Sequence, residues 1–218
     1  MSVIAVFNGI FCREDSVIRE VLDRTGYELV ADKDLVAEAS DLSGMAESKI
    51  ERVFSGKTSV FNKFTHEQER SVAFLRLALA ERLTGDNLLI AGFAGQLIPR
   101  EVSHVLHVCL IADIKSRISV AAEKRGISEK DAVRLIHKQD EDCTAWINTL
   151  FQKTDPWDPS LYDMVIPVHT KTAQEASALI EDNINKDVLR PTKASRKAVE
   201  DFLLAAHVEV ALAKEGHT

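Results

Sequence analysis

VIAVFNGIFCREDSVIREVLDRTGYELVA, residues 3–31, decides the reading of the fold. Val3 to Phe7 is a short apolar run without alternation, as expected of a strand covered on both faces, and it stops at the turn-forming pair Asn8-Gly9. From Ser16 to Thr25, Val17, Ile18, Val21 and Leu22 recur at helical spacing, and Gly26 follows in the position of a helix-ending glycine. Tyr27 to Ala31 is apolar again. Strand, loop, helix and strand within about thirty residues is the size of a βαβ unit.

The alternation continues along the chain. Asp34 to Gly56 reads as helix, broken around Ser43-Gly44, and His66 to Leu83 as a longer amphipathic helix ended by Thr84-Gly85. Asn87 to Ala91 and Val105 to Ile111 read as strands, and Asp113 to Lys124 as a helix closed by Gly126. Ser128-Glu-Lys-Asp131 is a capping-box-like start to a helix that runs to about Phe151. Asp155 to Pro159 is a turn, Tyr162 to Val168 a last strand and Thr170 to Ile184 a helix. The pattern predicts an α/β fold: a three-layer α/β/α sandwich around a mainly parallel sheet. Residues 1–185 form this domain, the polar and basic stretch 186–195 reads as a linker, and 196–218 as a C-terminal helix with Val199, Phe202, Leu203, Ala206, Val210 and Leu212 on its apolar side.

The chain has 218 residues, 27 Lys and Arg against 34 Asp and Glu, and a formal net charge of −7. That balance argues against a protein gripping nucleic acid through bulk positive charge. No apolar run approaches the ~20 residues of a membrane span, and MSVIAVFNGIFCRED has no basic leader, so a cytoplasmic location is expected. Cys12, Cys109 and Cys143 cannot all pair and form no C-x-x-C, which fits a reduced chain.

Ligands of open α/β sheets bind at the carboxyl ends of the strands, so the loop Phe7 to Ser16 is the first candidate site. A phosphate cradle needs inward N–H groups, hence glycines, and usually a lysine. This loop has Gly9 alone and no lysine, and Glu14 and Asp15 oppose a triphosphate; Arg13 and the Ser16 hydroxyl can still donate. The alternative is an ordinary turn in which Glu14 and Asp15 complement the helix dipole. Ser55-Gly56-Lys57-Thr58 imitates the end of a phosphate loop, but Glu51 stands where the first glycine belongs. His104 and His107 point to opposite faces if both lie on a strand, and with Cys109 they make a poor metal set. Cys12 sits near a helix start, where a thiol is activated, but has no histidine partner and reads as inert. Arg117, Lys124 and Arg125 lie on one helix and form either a ligand-facing row or a solvated side.

Taken in order, these segments resemble the cytidylate kinase-like family, a branch of the P-loop nucleoside monophosphate kinases, over roughly residues 3–185. The stretches that carry the likeness are the opening strand and loop, GYELVADKDLV (26–36), LLIAGFAGQLIP (88–99), VLHVCLIADIKSRISVAAEKRGISEKDAVRLIHKQDED (105–142) and LYDMVIPVHTKTAQEASALI (161–180). The resemblance implies a P-loop kinase fold, ATP and magnesium as cofactors, and phosphoryl transfer to a nucleoside monophosphate. It places Asn8, Gly9, Cys12, Arg13, Ser16, Arg117 and Arg125 on the nucleotide-binding side, and Asp32, Gly92, Phe93, Gly95 and Asp140 on the substrate side.

Asp32, Arg117, Arg125 and Asp140 match the family pattern. Three elements depart from it: the glycine-rich loop falls on Phe11-Cys12-Arg13-Glu14, an expected arginine is Phe93, and the expected lid arginine is Cys143. Phosphoryl transfer depends on positioning and charge neutralisation, and loss of one clamp can cost on the order of 10³–10⁵ in rate. The expectation is therefore a degenerate kinase-like domain, with no residue given a catalytic or metal-binding role, that binds a nucleotide or small phosphorylated ligand in a sensory or regulatory capacity. Two alternatives stand beside it: an active cytidylate-type kinase in which Arg13 replaces the lysine, and a ligand-free interaction scaffold. Residues 199–218 resemble the start of a BON-type domain, with a plain helix docked on the core as the other reading. Whether the chain forms a homo-oligomer is left open.

Overall fold

The computed structural model describes residues 2–55 and 67–215. The elements are β1 (Val3–Asn8), α1 (Glu14–Thr25), β2 (Glu28–Ala31), α2 (Asp32–Ser43), α3 (Glu47–Ile50), α4 (Glu67–Arg82), β3 (Leu88–Ala91), β4 (Val105–Ile111), α5 (Ile114–Arg125), α6 (Glu129–Phe151), β5 (Met164–Pro167), α7 (Ala173–Ile184) and α8 (Lys193–Glu215). Single turns of 3₁₀ helix occur at Glu51–Phe54, Ala94–Leu97, Pro159–Leu161 and Asp187–Leu189.

The five strands form one sheet in the order β2-β3-β1-β4-β5, and every pair is parallel. Parallel neighbours require crossovers, which the helices supply, so both faces of the sheet are covered. β1 is central, and Val3 to Phe7 are at most 1% exposed. Odd-numbered side chains of β1 and β4 pack with α2, α4, α8 and the end of α6, where Trp146 and Ile147 lie. Even-numbered ones pack with α1 and α7. A small third cluster joins Phe11 to Val120, Ala121, Ala132 and Ile136 of α5 and α6.

Several boundaries differ from the sequence reading. The stretch before Gly56 is not one helix: α2 ends at Gly44, and α3 and a 3₁₀ turn follow. His66, Gly56-Lys57-Thr58 and Gly216 lie outside the described residues. β4 starts at Val105, so His104 precedes the strand, and the argument from strand alternation does not apply to it. Among the described residues no three His, Cys, Asp or Glu side chains cluster as a metal site.

The stretch 186–195 is fastened rather than free: Leu189 is buried and its carbonyl accepts from Ser2 Oγ. α8 begins within it at Lys193, because Thr192 and Ser195 cap reciprocally, each side-chain oxygen accepting the other's N–H. Val199, Phe202, Ala206 and Val210 dock α8 on the core beside α4, and Arg76 pairs with Glu209 at 2.9 Å. Leu212, expected on that side, is 46% exposed, since two residues on from Val210 turns it to the opposite side. No described helix is long and apolar enough to cross a membrane.

Candidate functional site

At the carboxyl end of β1 the loop Gly9–Arg13 leads into α1. Phe11 and Arg13 have φ of 62° and 53°, left-handed values costing on the order of 1 kcal/mol each for residues with a side chain. Both fall in the stretch where the resemblance places glycines, so the backbone keeps a glycine-type conformation at two positions that have none. Burial holds it there. Phe11 is 3% exposed, and the Arg125 guanidinium stacks 5.0 Å from its ring centroid. The Ile10 N–H donates to Gln139 Oε1 at 3.1 Å, and the Ile10 carbonyl accepts from Arg117 Nε at 2.8 Å.

Arg117 is 6% exposed and clamps Asp140 with both terminal nitrogens, at 2.8 and 2.7 Å. A Cβ at position 9 would lie 3.1 Å from its Nη2, so the guanidinium lies directly against Gly9. Lys124 pairs with Asp15 at 2.7 Å. Each of the three cations along α5 has a partner within the protein: Asp140 for Arg117, Asp15 for Lys124 and the Phe11 ring for Arg125. Asp140, expected on the substrate side, bonds Arg117, expected on the nucleotide side, so the two share one cluster.

Glu14 opens α1. Burial raises its carboxyl pKa, while the N–H groups of Glu14 itself and Cys12 and the Lys124 charge pull it back. Its Oε2 is buried with no hydrogen-bond partner. The Cys12 thiol is 1% exposed and burial pushes its pKa up to about 11, against the pull of Arg117. A helix start alone would lower that pKa, but burial dominates.

The second cluster joins β2 to β3. Asp32, first residue of α2, accepts the Phe93 and Ala94 N–H groups, each at 2.8 Å. Burial pushes its pKa up to about 6, with the two amides acting the other way. Gly92 has φ 123°, and a Cβ there would lie 2.1 Å from Asp32 Oδ2, so only glycine fits. Phe93 stacks on Phe54 (5.3 Å) and meets Phe7 edge-on (5.6 Å), and its carbonyl accepts from Trp146 Nε1 at 2.9 Å. Phe7 stacks on Tyr162, and Trp146 meets Phe54. The aromatic cluster fills the space between the β1 and β3 ends. Gly95 packs under it, its Cβ position 3.4 Å from Ala5 Cβ. Cys143 is fully buried on α6, and its thiol pKa is raised by burial.

Asn8 turns back on the loop, its Nδ2 donating to the Gly9 carbonyl. Arg13 and Ser16 face outward. They border a cleft of about 420 Å³ between the start of α1 and the loop after β5, with Arg19, Lys171, Thr172 and Gln174 on its other walls. Sequence reasoning missed Lys171, although its place just past a strand's carboxyl end is a usable signal. It also missed Gln139 and the Phe11–Arg125 stack, which join segments more than a hundred residues apart and leave no local pattern.

The model of the cytidylate kinase-like family matches residues 3–170. Among solved structures, an uncharacterized protein from Eubacterium ventriosum ATCC 27560 has a TM-score of 0.62 at 14% identity, covering 85% of this chain and 99% of that one. Shikimate kinase from Acinetobacter baumannii in complex with shikimate has a TM-score of 0.46 at 14% identity, covering 85% and 96%. Deoxyadenosine kinase from M. mycoides with bound dATP has 0.47 at 12%, covering 84% and 100%. A search of the curated proteins gives no match.

Proposed function

The chain belongs to the cytidylate kinase-like family, and from that premise we propose that it is a nucleotide-kinase-like domain without phosphoryl-transfer activity, binding a nucleotide or other phosphorylated ligand weakly in a sensory or regulatory role. The observation that carries the reading is the closed β1–α1 loop. Phe11 and Arg13 hold left-handed backbone there without glycine, the Glu14 carboxylate stands at the loop's end, and the nearby Arg117 is clamped by Asp140.

ATP with magnesium, the pair the resemblance implies, does not fit this donor set. A triphosphate would meet Glu14 where it needs N–H groups, and the loop holds no lysine. We therefore assign no transfer step. A phosphate group finds cations instead in the outer cleft, at Arg13, Arg19 and Lys171, against the single carboxylate Glu20, which accepts from Gln174 Nε2 at 2.8 Å. The net charge of −7 supports a small ligand over nucleic acid, and three buried free thiols suit the reducing cytoplasm.

Calorimetric titration of the full chain with ATP, CMP and dCMP tests the proposal. The expected result is binding in the range of about 0.1–1 mM, lost in Arg13→Ala and Lys171→Ala, with no ADP release in a coupled assay across the nucleoside monophosphates. Turnover abolished by Arg13→Ala overturns the reading in favour of an active kinase. No heat with any nucleotide removes the ligand and favours the interaction scaffold. One observation speaks for that scaffold: Leu204, Val208 and Leu212 form an apolar stripe along the outer side of α8, 64%, 51% and 46% exposed.

A further inference from the structure

The opposite, amino-terminal edge of the sheet carries a second cleft, far from the β1–α1 loop. β5 is short and pairs with β4 only from Val108 onward; just before it the Asp163 N–H donates to the His107 carbonyl at 2.9 Å, and Val105 and Leu106 lie beyond the end of β5. The space so left, bounded by residues 100–107 and by the end of α7 with the 3₁₀ turn after it, has a volume of about 370 Å³, within the range of small-molecule sites.

Its walls are of two kinds. Arg100 and Lys186 bring positive charge. Arg100 makes no hydrogen bond or ion pair with a described residue, while Lys186 Nζ donates to Asn183 Oδ1 at 2.6 Å and keeps further protons to donate. Asp163 is the one carboxylate on the walls, and it already accepts the His107 main-chain N–H at 2.7 Å. The net facing charge is thus a single positive one. Leu106, Leu189 and Val188, the last 77% exposed, make the apolar side.

His107 lines the same space, is 4% exposed, and its Nδ1 has no hydrogen-bond partner. A buried polar nitrogen left unpaired costs about 1–3 kcal/mol and calls for a ligand or water. Burial, then the nearby Arg100 charge, pushes the imidazole pKa down to about 3. The ring is therefore neutral and has one N–H to donate.

We propose that this cleft binds a small organic carboxylate with an apolar body, its carboxylate held by the planar fork of Arg100 and by Lys186, and its hydrocarbon part laid against Leu106 and Val188. One net positive charge suits a monoanion, and the guanidinium plane matches a carboxylate. A phosphate dianion would be over-charged and would face Asp163. The inference is independent of the loop reading.

Amide-resolved NMR titration of the full chain tests it with 4-methylpentanoate and with leucine. The two share carboxylate and branched body, and differ in an ammonium group that Asp163 would take. Inorganic phosphate and 4-methylpentanol are the controls. The expected result is saturable shifts in residues 100–107 and 183–189 with either carboxylate, at a Kd of about 1 mM or below, weakened about tenfold or more by Arg100→Gln. His107→Phe fills the cleft and abolishes the response; if it does not fold, the exposed Arg100→Gln and Lys186→Gln variants decide. The proposal is overturned by no response to either carboxylate at about 10 mM, by equal response to the alcohol, by preference for phosphate, or by binding indifferent to Arg100.

Discussion

Replacing Glu14 by glutamine tests whether the β1–α1 loop is closed by its own charge. An anion drawn to the amides of Cys12 and Glu14 would lie within about 4 Å of the Glu14 carboxylate. Two unit charges at that distance repel by about 4 kcal/mol at an effective dielectric near 20. Glu14 is only half-buried, so solvent screens part of this and about 2 kcal/mol remains, roughly thirtyfold in affinity. Sulfate is the probe, because its charge does not change near neutral pH. Calorimetry at pH 7 should show Glu14→Gln binding it at least tenfold more tightly than the wild type.

The pH dependence carries the sign. Burial raises the Glu14 pKa in the folded chain above its unfolded value. The native state therefore holds that proton more firmly, and the charge works against the fold as pH rises through the folded pKa. Wild-type sulfate affinity should climb as pH falls from neutrality toward that pKa, while the glutamine variant stays nearly flat. Thermal stability of the variant should stay within a few degrees, since the loss of about 0.3–1 kcal/mol of helix-dipole interaction is offset by a lighter burial cost. A variant that binds sulfate no better than wild type, or a wild type that binds it tightly at pH 7, refutes the reasoning.

Asp140→Asn should cost about 2–3 kcal/mol, below the usual figure for a broken buried pair because Asp140 is 29% exposed on its side chain; denaturant unfolding checks it, and Arg117→Met with Asp140→Leu should recover most of the loss. Gly92→Ala forces a Cβ to within 2.1 Å of Asp32 Oδ2 at φ 123°, so the two amide bonds to Asp32 break and Tm should fall by about 10 °C or more. Asp32, with its pKa pushed up to about 6, binds its proton more tightly when folded; stability should fall by up to about 3 kcal/mol as pH rises through 6, and Asp32→Asn should flatten that slope in pH-resolved unfolding.

What the sequence shows of this protein is what repeats locally. β1 and β4 are legible because strands buried on both faces are unbroken apolar runs, and α1 because Val17, Val21 and their neighbours keep one period. The start of α8 at Lys193 is less legible because its cap is a Thr192–Ser195 exchange, a weaker signal than an acidic third residue. The site is less legible for a different reason. Periodicity tells which side of α5 Arg117 occupies, but not that Ile10 and Asp140 meet it there, and that meeting gives its guanidinium partners within the protein. Burial of Phe11 beneath Arg125 likewise holds a left-handed backbone that its own residue type disfavours. These contacts depend on one another. With no glycine at 11 or 13, the loop needs Phe11 anchored in the α5–α6 cluster, and that anchoring brings Arg125 onto its ring. With Arg117 clamped to Asp140, Cys12 sealed from solvent and the Glu14 carboxylate at the loop's end, removing that one charge should raise anion affinity without supplying a phosphoryl clamp. An Arg13-dependent turnover in the Glu14→Gln variant would break that chain of dependence, since it would mean the clamp cations disengage once the carboxylate charge is gone.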